Sequence, residues 1–306
     1  MYRLAHLSDI HLGPLPKVRK RDLVSKRITG YINWQRNRGK EMGGEWLHGL
    51  LAHLHAQSPD HIAVTGDLVN LALEAEVEAA RGWLETVGAP EGVSVVPGNH
   101  DAYVPGALAR VRKAWAPYMR GDDPDSNGGV AFPFVRRRGP IALIGTNSGR
   151  ATAPFMSTGS YRAEQDRITR RLLRDTCDAF RVVLIHHPPF KDATDYSKRL
   201  IGASRFRECI RECGAELVLH GHTHIVSHEA IEGPDGPVPV VGVPSASAGP
   251  DEKGKRPAAR YNLFHIDGRP GAWTCEHREY GFDDESRGVR ELAARPLAIP
   301  KIRQTS

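Results

Sequence analysis

Cysteine is scarce in this chain of 306 residues: the four thiols, Cys177, Cys209, Cys213 and Cys275, include no pair at CxxC spacing. That excludes a disulfide framework or a thiolate zinc knot as the source of stability and fits reduced thiols. Cys209 and Cys213, four residues apart, read as small side chains on one helix face. Long apolar runs are missing too. No stretch approaches the roughly 18 residues a spanning helix needs, and Met1 to Leu7 lacks the charged start and apolar core of a secretory signal, so a cytoplasmic protein is expected. With 40% apolar and 25% charged residues, disorder throughout is excluded. The length suits one large α/β domain or two smaller ones.

The net charge of +6 is not spread evenly. Lys17 to Lys40 carries nine basic residues against one acid, Asp22, so this segment alone is +8 and the remainder is −2. Leu23, Val24, Ile28, Tyr31, Ile32 and Trp34 are interleaved with those charges, several at helical spacing. The segment reads as a cap over a site, as a basic amphipathic helix on an anionic membrane surface, or, less readily, as a contact for nucleic acid. Arg136, Arg137 and Arg138 form a second small patch, read as a solvated turn.

Short apolar runs alternate with helical stretches over the first two thirds. Strands are expected at Tyr2–Leu7, His61–Thr65, Val93–Val96, Ile141–Gly145, Val182–Ile185 and Leu217–Leu219, with helices at about 41–57, 72–87, 106–119, 162–178 and 204–213. That alternation argues for an α/β domain with a buried sheet. After residue 225 the pattern changes to antiparallel strands separated by Gly/Pro turns. Residues 281–306 read as a poorly ordered or surface-draped tail, which leaves one domain over residues 1–280.

The chemistry-bearing residues follow directly on the apolar runs. Ser8-Asp9-Ile10-His11 follows the first, Gly66-Asp67-Leu68-Val69-Asn70 the second, and Gly98-Asn99-His100-Asp101 the third. His186-His187-Pro188-Pro189 and Gly221-His222-Thr223-His224 complete the series. Each sits at the C-terminal end of a strand, where open α/β sheets place their ligands. One Asp or His there is ordinarily a helix cap or a solvated polar group. Five in register would bury many unpaired polar groups together unless a cation held them. The donor set is carboxylate, imidazole and amide oxygen without thiolate, which suits Mn²⁺, Fe, Zn²⁺ or Mg²⁺. Asn70 reads as a helix cap, and His187 as a packing residue facing away from His186.

D-x-H, G-D-x-x-N, G-N-H-D, H-x-P and G-H-x-H, in this order over residues 2 to 265, resemble the calcineurin-like metallophosphoesterase superfamily. The resemblance implies a four-layer α/β/β/α sandwich with two divalent metal ions at the sheet edge. One ion would be held by Asp9, His11, Asp67 and His224, the other by Asp67, Asn99, His186 and His222, with Asp67 bridging. It further implies a water between the ions, acidified for in-line attack on a phosphoester. His100 is then the residue to stabilise or protonate the leaving oxygen, and Asp101 the one to orient His100. The substrate class expected first is a phosphodiester or nucleotide, as in the class III cyclic-nucleotide phosphodiesterases. A nucleotide-linked lipid precursor hydrolysed at a membrane, similar to the substrates of the UDP-2,3-diacylglucosamine hydrolases, is the alternative, followed by a metal-dependent nuclease.

Overall fold

Side chains two apart along a strand share a face, so a strand buried on both faces is mostly apolar and divides its residues between two cores. The central strands of this protein do this, with only single polar residues such as His6, His61, Ser94 and Arg181 buried among the apolar ones. In the computed structural model, which describes residues 1–23, 25–35, 44–123, 130–250, 256–283 and 288–300, β1 (Tyr2–Leu7), β2 (His61–Val64) and β3 (Val93–Val95) run parallel. Antiparallel β12 (Arg260–Asp267), β13 (Thr274–Gly281) and β14 (Arg290–Leu297) extend that sheet beyond β1, giving the order β14-β13-β12-β1-β2-β3. The second sheet has the order β10-β11-β9-β7-β5-β4. Its strands are β4 (Phe134–Arg138), β5 (Ile141–Gly145), β7 (Phe180–Leu184), β9 (Leu217–His220), β10 (Ser227–Gly233) and β11 (Gly236–Gly242). A short ribbon pairs β6 (Gly159–Ser160) with β8 (Leu200–Ile201).

Three cores follow from the alternation. Leu4, Ala63, Leu143, Val182, Leu184, Leu219 and Phe264 meet between the sheets. Their neighbours Ala5, Leu7, Ile62 and Val64 turn outward onto Leu50, Leu54, Val77 and Leu84 of helices Gly44–Ala56 and Glu74–Val87. On the other side Ile144, Val183 and Val218 pack on Leu173, Phe206 and Ile210 of helices Ala163–Asp175 and Ala203–Cys213. The layers are therefore α/β/β/α, as the resemblance implied. The helix expected over 106–119 breaks at Trp115 into Ala107–Ala114 and Ala116–Met119, because Pro117 is tolerated only in a first turn. No helix among the described residues is long and apolar enough to cross a membrane.

Two readings need correction. Residues 290–297, expected within a tail, form β14 and pair with β13 along its length, while Phe282 is buried edge-to-face against Trp46. Residues 284–287 and 301–306 of that tail lie outside the described residues. Likewise, the arginine patch is no solvated turn: it is strand β4, and Arg136 is buried. Its guanidinium donates to the carbonyls of Arg120, Pro90, Val93 and Pro117, tying the strand to β3, the turn ahead of it and the short helix Ala116–Met119.

Beside Arg136, His61 donates or accepts a 2.8 Å hydrogen bond with Ser94 Oγ. Burial, reinforced by Arg136 and Arg138, lowers His61 to about 3. An unfolded histidine titrates near 6.5, so below that pH the unfolded chain takes up a proton that the folded one excludes, and stability falls. Between pH 7.5 and 5.0 the loss from His61 alone is about 2 kcal/mol. Urea midpoints measured at both values should drop on acidification and drop less in His61→Gln; equal slopes for the two proteins would refute this role.

Candidate metal centre

All five sequence clusters lie at the C-terminal ends of parallel strands, β1, β2 and β3 in one sheet and β7 and β9 in the other. The sandwich brings those ends to a single edge. The turns there are tight. Asp9, His11, Asp67, His222 and His224 all have φ between 43° and 70°, the left-handed region that costs a non-glycine residue of order 1 kcal/mol. Two glycines permit the close approach of neighbouring turns: a Cβ on Gly98 would strike Asp67, and one on Gly221 would strike Ser8 and Asp9.

Backbone groups then aim the side chains. His11 Nδ1 donates to Val69 O (3.2 Å), His186 Nδ1 to Thr65 O (2.7 Å) and His100 Nδ1 to Asn70 O (2.6 Å). A carbonyl can only accept, so each ring carries its hydrogen on Nδ1 and presents Nε2 to the centre. His222 is held the other way round, with Nε2 donating to Lys198 O (3.0 Å), which leaves Nδ1 for a cation. Asp9 Oδ2 accepts from His222 N (2.9 Å) and Asp67 Oδ1 from His100 N (2.7 Å), so the second oxygen of each carboxylate points inward.

What converges is a set of acceptors. His186 Nε2 lies 3.3 Å from Asp67 Oδ2 and 3.2 Å from Asn99 Oδ1. His11 Nε2 lies 3.9 Å from both Asp67 Oδ2 and Asp9 Oδ1, and 3.4 Å from His224 Nε2. Asp9 Oδ1, fully buried, is 3.0 Å from His224 Nε2 without hydrogen-bond geometry. Lone pairs facing one another in a buried site repel unless a positive charge sits between them. The electrostatics agree. Burial opposes charge on Asp67, yet the facing rings of His186 and His100 hold it well below the usual carboxylate range. Burial alone would lower His186, and Asp67 and Asp9 instead raise it to about 9, so that with no cation bound a proton on this ring supplies the positive charge the carboxylates call for. The residues present fit cations bound through nitrogen and oxygen. Asp9 groups with His11 and His224, and Asp67 joins two further groupings, one with His11 and His100 and one with Asp9 and His186.

Asp101 does not orient His100. Its buried carboxylate accepts from the N–H groups of Asp67 (2.8 Å), Leu68 (2.9 Å), Val69 (3.3 Å) and Gly98 (2.8 Å), clamping two site turns together, while the Asn70 carbonyl takes the His100 ring. Nor is the Asn70 side chain a helix cap: its Nδ2 donates to Leu12 O, and Glu76 accepts the N–H groups ahead of helix Glu74–Val87. His187 is buried with both nitrogens engaged, accepting from Ser148 Oγ and donating to Ser157 O, and its ring lies 4.3 Å from His222 rather than turning away. His220 bonds Gly221 O and Ser227 Oγ. Sequence reasoning missed Thr65, Val69 and Ser245, whose hydroxyl donates to Asp9 O (2.6 Å); backbone carbonyls carry no sequence signal. Outside the centre, His228, His277 and Glu279 also cluster, but Arg295 and Arg260 already face that carboxylate and make it an ion-pair network.

The basic segment is in part anchored to the domain. Helix α1 (Arg27–Asn33) is fixed by Arg27, which donates to Leu71 O and Ala72 O, and by Lys26, which donates to Thr152 Oγ1 and Met156 O. Ile28 and Ile32 stay exposed, at 50% and 43%. Val24 and residues 36–40 of the segment lie outside the described residues.

Because four N–H groups depend on one carboxylate, Asp101→Asn should destabilise the fold by about 2–4 kcal/mol by placing an amide hydrogen against donors. Thermal unfolding of the metal-free protein measures this; an unchanged midpoint would show that the clamp contributes nothing.

Residues 2–226 match the family model described as calcineurin-like phosphoesterase. No curated protein matches the chain in sequence. Among solved structures, the purple acid phosphatase PPD1 of yellow lupin is similar over 97% of this chain and 53% of its own, at 10% identity and a TM-score of 0.57. A 5'-nucleotidase precursor from Thermus thermophilus is similar over 98% of this chain and 55% of its own, at 17% identity and a TM-score of 0.47. The calcineurin-like phosphoesterase YfkN of Bacillus subtilis is similar over 98% and 90%, at 12% identity and a TM-score of 0.45. The family match spans most of the chain and contains all five motifs at the sheet edge: this protein belongs to the calcineurin-like phosphoesterase family.

Proposed function

We propose that the protein is a dinuclear metal-dependent phosphodiester hydrolase. Asp9, His11, Asp67 and His224 would hold one divalent cation, and Asp67, Asn99, His186 and His222 the other. When bound, the pair supplies polarisation of the phosphoryl oxygens and acidification of a water at neutral pH. Asp67 would serve both cations, its Oδ2 facing the centre while His100 N fixes its other oxygen. His100 is oriented by Asn70 O, stacks on Tyr103 with ring centroids 5.3 Å apart, and stands edge-on to His11 at 4.7 Å. Assigned to the leaving oxygen rather than to either cation, it would stabilise or protonate that oxygen.

The observation that carries the diester reading is a pair of clefts meeting at the centre. One of about 430 Å³ runs past His222, Thr223 and Ile225 toward Asp195, Lys198 and Arg256. Another of about 270 Å³ runs under α1, and both are bordered by Asn99, His100 and Ser157. A monoester has one substituent to house, and a diester has two. A second reading, hydrolysis of a nucleotide-linked lipid at an anionic membrane, is favoured by the exposed Ile28 and Ile32 of α1, by Phe155 across the cleft from it, and by the exposed Lys17, Arg19, Lys20 and Arg21 that precede α1 in the chain.

Chelation should abolish hydrolysis of bis-p-nitrophenyl phosphate, and Mn²⁺ should restore it; activity that survives complete metal removal would sink the proposal. His100→Ala should lower kcat by about 10²–10³-fold while two metal ions per chain are retained, whereas Asp67→Asn should lose both activity and metal. Metal content measured beside turnover separates the two effects. Vesicle sedimentation with and without anionic lipid tests the second reading.

A further inference from the structure

The 270 Å³ cleft differs in character from the larger one. Its walls carry three aromatic side chains, Trp34 at the end of α1, Tyr103 behind His100, and Phe155 across the opening, with Met156 beside them. The larger cleft is lined mainly by Asp, Thr, Lys, Arg and His side chains. From this contrast, and resting on the phosphoesterase reading above, we propose that the cleft between α1 and the Phe155–Ser157 segment is a binding subsite for a planar aromatic ring carried by the phosphoester.

Three observations support it. First, the cleft opens on the candidate centre, since Asn99 and His100 belong to both. A substituent lodged there extends from the oxygen that His100 is placed to serve. Secondly, the cleft is held in shape by the protein itself. Lys26 Nζ crosses from α1 to Thr152 Oγ1 (2.6 Å) and Met156 O (2.7 Å) and lies 4.6 Å from the Tyr103 ring centroid. Arg27 pins the same helix to the carbonyls of Leu71 and Ala72. At Gly30 the helix sits so near the floor that a Cβ would collide with the Tyr103 hydroxyl and Leu71. Walls fixed in advance spare a ligand the entropy of ordering them. Thirdly, Phe155 is 86% exposed and has φ 62°. A large aromatic side chain on a left-handed backbone position, packed on little else, gains no folding stability from its location and is disposed to cover a ring entering the cleft. Offset stacking and edge contacts with Trp34 and Phe155, and a thioether contact from Met156, favour a ring over an alkyl group of the same volume.

The test is binding rather than turnover, on the full-length chain loaded with Mn²⁺. Titration calorimetry compares phenylphosphonate with methylphosphonate, which share the metal-binding headgroup and differ only in the ring. The expected result is that wild type binds phenylphosphonate about tenfold more tightly. In Phe155→Ala and in Trp34→Ala that ratio should fall below about threefold. The exposure of Phe155 makes its variant safe for the fold. Equal affinities in wild type, or a preference that survives both substitutions, would overturn the subsite while leaving the phosphoesterase reading intact. Binding of neither phosphonate to protein that holds both metal ions would overturn the phosphoesterase reading, and the subsite with it.

Discussion

Buried lone pairs pointing at one another are the constraint on which the rest of this structure depends. Asp9 Oδ1, Asp67 Oδ2, Asn99 Oδ1 and the Nε2 atoms of His11, His186 and His224 crowd into a region where each lies within 4 Å of another. In the absence of positive charge such an assembly pushes itself apart, so it persists only if the scaffold prevents its members from turning away. The scaffold does so with backbone groups. Carbonyls take one nitrogen of each of His11, His100, His186 and His222, and backbone N–H groups take one oxygen of each of Asp9 and Asp67.

Those backbone groups come from the turns that end the strands, which is why the sandwich matters to the chemistry. Parallel strands point their C-terminal ends the same way, and two sheets packed through a shared core bring two such rows together. Asp101 then joins the turn after β2 to the turn after β3 through four N–H bonds, and Gly98 and Gly221 let neighbouring turns touch. Five left-handed residues at the centre are the conformational cost, met by burial in three apolar cores. The same logic extends outward to α1, where Lys26 and Arg27 use their charge to hold a helix beside the site.

The strands and the site positions were legible in the sequence for one reason. A strand buried on both faces is mostly apolar, so a cluster of polar residues that breaks the apolar run marks its end. Asp9, Asp67, Asn99, His186 and His222 all lie in such clusters. The partners of those residues were less legible. Asp101 and Asn70 were assigned to tasks their side chains could perform locally, orienting His100 and capping a helix, whereas in the fold they reach Gly98, Leu68 and Leu12. Arg136 reads as surface because arginine ordinarily is, yet four carbonyls from other segments surround it. Strand β14 was overlooked because an edge strand with one solvated face has no apolar run to announce it.

The sequence by itself determined the α/β class with a buried sheet, the kinds of donor atoms available and their order along the chain, since these follow from local periodicity and residue chemistry. Only the tertiary structure decided which nitrogen of each histidine faces the centre, which oxygen of each carboxylate is left unclaimed, and that the basic segment forms the wall of a second cleft. Each of those outcomes depends on hydrogen bonds between segments 24 to 213 residues apart. Such bonds leave no trace in local pattern, because a backbone carbonyl is the same whichever residue carries it.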